Sequence, residues 1–427
     1  MFDIEKLSTN IKFTSQIPFC SYCLSFDLYK GCPHRCRYCF AQTSHGERLK
    51  VGLKSETKLF GFEKIIKMVN GEAKGGKSYI QEFIDKKQPF HIGGMADPFP
   101  YGIENKTKHA LSFINAIKEY PCIWSTKNPP SEYADEISRG NHILQFSCIG
   151  NVEYDSRVKN IEPGLPDFKI RIEKLKKLRG SAKKLILRFQ PFIPFIWNYD
   201  NINRFLDSMI GIVDAVTIEF LKKPVGEKWE EFSKALNFDV NSFFEKQCEM
   251  DMGTDKVFYT IYRYEMLKLL RKMIKERGFE FYSAENYFRH LGDGPSCCGV
   301  GENDGAIFQS KLTYCLNDML FKAKKEGSFC WKDIEKNMPD SLKEGKWVMG
   351  FDHALAKKTI RDVLKSRYSS SSIFSPEKMF INLKSKTING EEHYFYVENK
   401  LNRGLDFTLS KYDSLYGNNI LKDAKVI

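Results

Sequence analysis

Three cysteines, Cys32, Cys36 and Cys39, lie in the stretch Gly31-Cys32-Pro33-His34-Arg35-Cys36-Arg37-Tyr38-Cys39-Phe40 with the spacing CxxxCxxC. No fourth cysteine follows in the same loop. A closed structural zinc site takes four ligands. A 4Fe-4S cluster held by three thiolates instead keeps one iron free for a substrate or cofactor. The spacing alone also arises in zinc knuckles and other metal loops, so a redox-silent metal is the alternative.

An open iron can chelate the amino and carboxylate groups of S-adenosylmethionine (SAM) and place its sulfonium beside a one-electron donor. The sulfur–carbon bond then breaks to give a 5'-deoxyadenosyl radical. With the aromatic Tyr38 directly before the third cysteine, the motif resembles the radical SAM superfamily. Asp27-Leu28-Tyr29-Lys30-Gly31 before it and Phe40-Ala41 after it resemble the branch containing spore photoproduct lyase and its uncharacterised relatives. The resemblance continues through His91-Ile92-Gly93-Gly94-Met95-Ala96-Asp97-Pro98-Phe99, with Glu104 after it. It ends with Glu162-Pro163-Gly164, Arg171 and Gln190-Pro191-Phe192-Ile193-Pro194, so it covers about residues 20 to 195.

The resemblance implies cluster ligation by Cys32, Cys36 and Cys39 and SAM binding by Tyr38, Gly93, Gly94 and Asp97. It also implies an electron donor such as flavodoxin or ferredoxin. Gly93 and Gly94 suit a backbone that approaches a ligand closely, since glycine has no Cβ; an ordinary turn is the plainer reading. By position at strand ends, Ser147 and Arg188 are expected to meet the cofactor's ribose or carboxylate, with Arg171 an alternative for the carboxylate.

These residues need a scaffold that gathers them. Strand-like stretches at Leu24 to Leu28, Pro89 to Ile92, Ile123 to Ser125, His142 to Ile149, Leu185 to Phe189, Ala215 to Phe220 and Phe279 to Tyr282 alternate with helix-like ones. The clearest helices are Lys106 to Tyr120, Asp167 to Leu178 and residues 256 to 277, where apolar residues recur at helical spacing. Strand, helix, strand repeated in this way predicts a parallel sheet with crossover helices. Periodicity fits a doubly wound sheet as well as a barrel. The family resemblance implies an α/β fold with a partial (β/α)6 barrel of the radical SAM type over residues 1–300. A C-terminal α+β extension is expected over residues 301–427, including helices at Phe308 to Lys325 and Asp352 to Ser366.

Beyond the last strand, Tyr282 to Gly299 is polar and glycine-rich and is expected to lie over the barrel mouth. Cys297 and Cys298 in it are candidates to give a hydrogen atom to a substrate radical. With Cys20 and Cys23 they are also candidates for a second metal or cluster; inert buried thiols are the alternative. Phe380 to Leu383 and His393 to Val397 flank Asn389-Gly390 and read as a β-hairpin. Its Lys384, Lys386, Tyr394, Phe395 and Tyr396 offer a basic-aromatic nucleic-acid face, though a half-buried hairpin accounts for them too.

With 427 residues, 42% of them hydrophobic, the chain has the composition of a globular protein, and it shows no apolar run of about 20 residues. Met1 to Lys12 lacks the apolar core of a secretion signal, so the cytoplasm is the expected compartment and no membrane partner is expected. A net charge of +12 favours a polyanionic partner or phosphorylated substrate, against the plainer reading of a solvated basic surface. Three functions follow. One is a radical SAM enzyme acting on nucleic acid or a nucleotide. The others are a radical SAM enzyme acting on a peptide or small metabolite, and a zinc-stabilised nucleic-acid-binding protein.

Overall fold

The computed structural model describes residues 11–14, 18–20, 22–29, 31–39, 59–72, 79–117, 119–150, 155–251, 255–300, 312–344 and 359–398. Lys30, Phe40 and Ala41 of the resembling segments lie outside the described residues, as do the first parts of the helices expected from Phe308 and Asp352.

The main sheet contains β1 (Lys12–Phe13), β2 (Leu24–Phe26), β3 (Phe90–Ile92), β4 (Cys122–Thr126), β5 (His142–Cys148), β6 (Lys184–Phe192) and β7 (Ala215–Phe220). A small antiparallel sheet of β8 (Lys223–Pro224), β9 (Glu249–Asp251) and β10 (Asp255–Val257) intervenes before β11 (Glu280–Ser283) returns to the main sheet beside β7. From β2 onward every pairing in the main sheet is parallel, and β1 alone is antiparallel, on the edge. All residues of β4 and β5 are buried, as expected of parallel strands covered on both faces. Each of the seven stretches read as strands in the sequence is a strand here.

Strand order decides between the two sheet types. It runs β1-β2-β3-β4-β5-β6-β7-β11 without reversal. A doubly wound sheet reverses its order at a switch point; a sheet in which each strand joins the previous one curls toward a barrel. The concave face has its own apolar cluster, in which Ile123, Ile143, Ile186, Ala215 and Tyr282 of five strands meet Cys298 and Val300. The fold is therefore an α/β partial barrel, with seven parallel strands in place of the six that the resemblance implied.

Crossover helices cover the convex face. Glu104–Ala116 buries Ala110, Phe113 and Ile114, and Phe168–Lys177 starts at Asp167, whose side chain accepts from the Lys169 N–H. Thr260–Glu276 leads into β11. The C-terminal unit pairs β12 (Ser328–Cys330) with β14 (Glu391–Tyr396), and β14 with β13 (Leu383–Ile388). Asn389 (φ 50°) and Gly390 (φ 79°) form the hairpin turn. Phe329 and Tyr394 lie in the same apolar cluster as the barrel's outer face, so one core runs through both parts.

Candidate active site

The carboxyl ends of the parallel strands form one rim, and the three-cysteine loop sits on it after β2. Its shape is imposed by neighbours. The Arg37 N–H donates to the Ile161 carbonyl at 3.0 Å, and the Gly164 N–H donates to that of His34 at 3.0 Å. A Cβ at Gly164 would lie 2.4 Å from the Pro33 carbonyl oxygen, so only glycine lets the loop close on this segment. Glu162-Pro163-Gly164 is thus the clamp on the cysteine loop.

Behind the loop is a buried charge network. Tyr38 donates to Glu162 Oε1 at 2.5 Å, and Lys127 Nζ donates to that oxygen at 2.8 Å and to the Tyr38 oxygen at 2.6 Å. Arg171 donates to Glu162 Oε2 at 3.1 Å. Burial would raise the Glu162 carboxyl, but Lys127 and Arg171 outweigh it and hold it at about 2. Arg171 rests its guanidinium 5.1 Å over the Phe168 ring, on the helix side of the sheet. It supports Tyr38 through Glu162 and does not join Ser147 and Arg188 on the concave face.

Asp97 is a second hub. Its Oδ1 accepts from the Phe99 N–H at 2.9 Å and from Thr126 Oγ1 at 2.7 Å, and its Oδ2 accepts from the Lys127 N–H at 2.6 Å. His34 Nδ1 lies 3.4 Å from Asp97 Oδ2. Burial lowers His34 but Asp97 outweighs it, leaving the imidazole raised; burial raises Cys32 but the hydrogen bond from His34 outweighs it, leaving the thiol lowered. Asp27, at the end of β2, accepts from the N–H groups of Met95 and Ala96.

The two glycines of that loop differ. Gly93, at φ 93°, would place a Cβ 2.3 Å from the Ser125 carbonyl oxygen, so glycine is needed there for packing. A Cβ on Gly94 would meet only Ser25 Oγ, at 3.6 Å. Glu104 is solvent-exposed and pairs with Lys108 at 2.9 Å; it does not reach the site. Lys106 is fully buried, its Nζ 4.2 Å from the Tyr29 ring centre and without a hydrogen-bond acceptor. Burial lowers it to about 8 against the opposing effect of Cys32.

Inside the barrel, one layer above the apolar cluster, lies a polar layer. Arg188 Nη1 donates to Ser125 Oγ at 2.9 Å and to Gln145 Oε1 at 3.3 Å, and Ser125 donates to Gln145 Oε1 at 2.5 Å. Ser125 thereby spends its one proton, so His91 Nε2, 2.9 Å away, must be the donor to it. Ser147 pairs in register with Arg188 and shares its face. Gln190 donates to Glu219 at 2.8 Å. Gln145 Nε2, Arg188 Nε and Gln190 Oε1 are buried without partners. Orphaned polar atoms inside a barrel are what a polar ligand would satisfy.

The segment after β11 does not lie over the mouth. Cys298 and Val300 pack into the concave apolar cluster, a Cβ on Gly299 would lie 2.5 Å from Ile186 Cδ1, and Thr217 donates to the Cys297 carbonyl at 2.9 Å. Small, uncharged side chains let this stretch enter the barrel and floor it. Tyr22 of the lead-in packs on the same cluster. The lead-in and the tail therefore meet, and Cys20 comes within electrostatic reach of Cys297 and Cys298, without Cys20, Cys23, Cys297 and Cys298 being grouped for a single ion. Sulfurs bound to one zinc lie about 3.8 Å apart; among the described residues no three of these four come within 4.8 Å of one another, and Cys23 instead lies 3.6 Å from the Tyr314 hydroxyl. Cys297 and Cys298 share a hydrogen bond that lowers the Cys297 thiol and raises that of Cys298.

Cys32, Cys36 and Cys39 are likewise farther apart than one ion requires.

No family model matches the chain, and no curated protein matches it. The chain is similar to spore photoproduct lyase. A cysteine-to-serine mutant of that enzyme aligns over 65% of this chain and 80% of that one, at 19% identity and a TM-score of 0.48. A mutant with bound AdoMet and dinucleoside spore photoproduct aligns over 64% and 78%, also at 19% identity and 0.48. The radical SAM methyltransferase TsrM from Kitasatospora setae, with tryptophan substrate and a SAM analog bound, aligns over 46% of this chain and 35% of that one, at 13% identity and a TM-score of 0.32.

The strand polar layer escaped the sequence reading except for Ser147 and Arg188. Its signal was there: Gln145 and Ser147, Arg188 and Gln190, Thr217 and Glu219 are polar at every second position of strands otherwise apolar, which is one face by the period of two. The Lys127–Glu162 pair and the small sheet β8–β10 carried no such pattern.

Proposed function

We propose that this chain is a radical SAM enzyme. The observation that supports the reading most is the pairing of a three-cysteine loop, clamped at the carboxyl rim of a parallel barrel, with a lumen whose polar atoms lack partners. Cys32, Cys36 and Cys39 would hold a 4Fe-4S cluster, which when bound supplies the electron that cleaves SAM to a 5'-deoxyadenosyl radical. The chain's own residues do the rest. Asp97 and the Gly93-Gly94 backbone fix the shelf where the methionyl amino group would bind, Arg188 and Ser147 face the lumen for carboxylate or ribose, and Tyr38, braced by Lys127 and Glu162, backs the loop. Cys297 and Cys298, at the lumen floor, are the candidate hydrogen donors to a substrate radical.

The substrate class we favour is nucleic acid or a nucleotide, on the motif resemblance and the +12 charge. A one-electron donor such as flavodoxin or ferredoxin would serve the rim. The cytoplasm suits twelve free cysteines, and among the described residues no helix is long and apolar enough to cross a membrane. The test is anaerobic reconstitution with iron and sulfide, then SAM and a strong reductant. Iron, acid-labile sulfide and 5'-deoxyadenosine are expected together, with turnover raised by oligonucleotides. Zinc without iron, and no deoxyadenosine, would return the chain to the zinc-protein reading.

A further inference from the structure

On the outer face of the C-terminal sheet, three ligand-type side chains converge. Cys330 ends β12 and stands directly across the ladder from His393 on β14. Glu391 precedes His393 by two residues and so shares its face. Sulfur, imidazole nitrogen and carboxylate oxygen all lie within 4.8 Å of one another, and all three residues are half-buried. Among the described residues this is the one such group. The opposite face of the same strands, with Phe329 and Tyr394, is buried in the core, so the backbone beneath the trio is held firmly.

We propose that Cys330, Glu391 and His393 form a mononuclear transition-metal site, for which zinc is the best-matched ion. One thiolate, one imidazole and one carboxylate make a zinc donor set; magnesium and calcium favour oxygen alone. A tetrahedral ion with bonds of about 2.0–2.3 Å sets its donors about 3.3–3.8 Å apart, so side-chain rotation of about 1 Å closes the site without disturbing the ladder. A hydrogen bond to the Cys330 sulfur is already in place. The Asp333 backbone N–H donates to the Cys330 sulfur at the start of the helix Trp331–Asn337, the kind of outer hydrogen bond that steadies a metal thiolate. Two cations lie nearby. Lys332 bonds Glu391 at 2.9 Å, but with 78% of its side chain exposed the pair is weak and yields to a dication. Lys386 lies across from His393 and is exposed, free to swing out. Three protein ligands leave the fourth position to water or an incoming donor. The ion would pin β12, paired over only three residues, to the hairpin.

The site does not depend on radical chemistry, and its test is separate. The full chain, and the full chain with Cys32, Cys36 and Cys39 changed to Ser, are titrated with Co²⁺ and Zn²⁺ under reducing conditions. Expected is one Co²⁺ in the triple variant with thiolate-to-metal charge transfer and tetrahedral ligand-field bands. Cys330→Ser should remove the charge transfer, and His393→Gln and Glu391→Gln should each weaken binding at least tenfold. Zinc should raise Tm for the parent and not for the Cys330→Ser/His393→Gln double variant, as expected for a ligand of the folded state. The half-exposed Glu391→Gln keeps the test valid if the cysteine variant misfolds. An unchanged cobalt spectrum in these variants, or no bound ion at micromolar cobalt, overturns the proposal.

Discussion

The rim and the lumen of the barrel are both polar, but their carboxylates and amides are satisfied to different degrees. At the rim, the carboxylates of Glu162 and Asp97 each accept three hydrogen bonds from the chain itself. In the lumen, Gln145, Arg188 and Gln190 each leave a buried polar atom unmatched. An unmatched buried group costs about 1–3 kcal/mol, so a folded protein keeps several together only where something else satisfies them. At the rim the unmatched atoms are nitrogens of the cations around satisfied carboxylates, such as Arg171 Nε and Nη1 and His34 Nδ1; in the lumen they sit together on the concave face of neighbouring strands, where a ligand could meet them.

The largest effect is expected at the cysteines. Changing Cys32, Cys36 or Cys39 to Ala should abolish iron binding and SAM cleavage, read by iron analysis and deoxyadenosine yield; cleavage retained in any one of them removes the loop from the chemistry. Next is the rim itself. Glu162→Gln strands Lys127 and Arg171, a buried-pair loss of about 3–5 kcal/mol, measurable by denaturant unfolding. Its pH signature has a definite sign. Glu162 is held at about 2 against about 4.3 in an unfolded chain, so its stabilisation is complete above about pH 4.3 and drains away as pH falls toward 2. The wild-type chain should lose that stability across this window and the Gln variant should not.

The loop glycines sharpen the contrast further. Gly93→Ala should cost about 2–3 kcal/mol, from a positive φ and the clash with the Ser125 carbonyl. Gly94→Val should spare stability and iron content and weaken SAM binding. Equal losses of stability in the two variants would show that both positions are merely structural. In the lumen, Arg188→Met should shift stability by under about 1 kcal/mol while lowering SAM affinity about tenfold, a difference of about 1.4 kcal/mol. Calorimetry reads it. The smallest effect is expected from Lys384→Glu with Lys386→Glu. These lie on the exposed face of the hairpin, whose Tyr394 turns into the core. Oligonucleotide binding should weaken and lose part of its salt dependence; salt-insensitive binding in the parent points to a small substrate.

The sheet was legible because parallel strands write themselves as short apolar runs. The cysteine loop was legible because its ligands are local in sequence. What the sequence hid was long-range. Glu162 finds Lys127 from 35 residues away, and nothing near either residue announces the other. The tail was misplaced for a related reason: Ser296 to Val300 looks like a surface loop by its glycine and serine content, yet those small residues are what allow it inside. Gly93 and Gly94 look alike in sequence, and only the position of the Ser125 carbonyl separates them.

That floored interior has a geometric consequence for whatever enters. With Cys298 and Val300 packed against the lower part of the concave face, the described residues floor the barrel and leave the cysteine rim as its open end. A polymer cannot thread through it. It has to lower a single unit into the well, an end or one residue swung out of line, which for a duplex means unstacking a base at a cost of a few kcal/mol. Already unpaired or damaged strands would meet that requirement at the least expense, so under the nucleic-acid reading proposed above the floor would favour them as substrates.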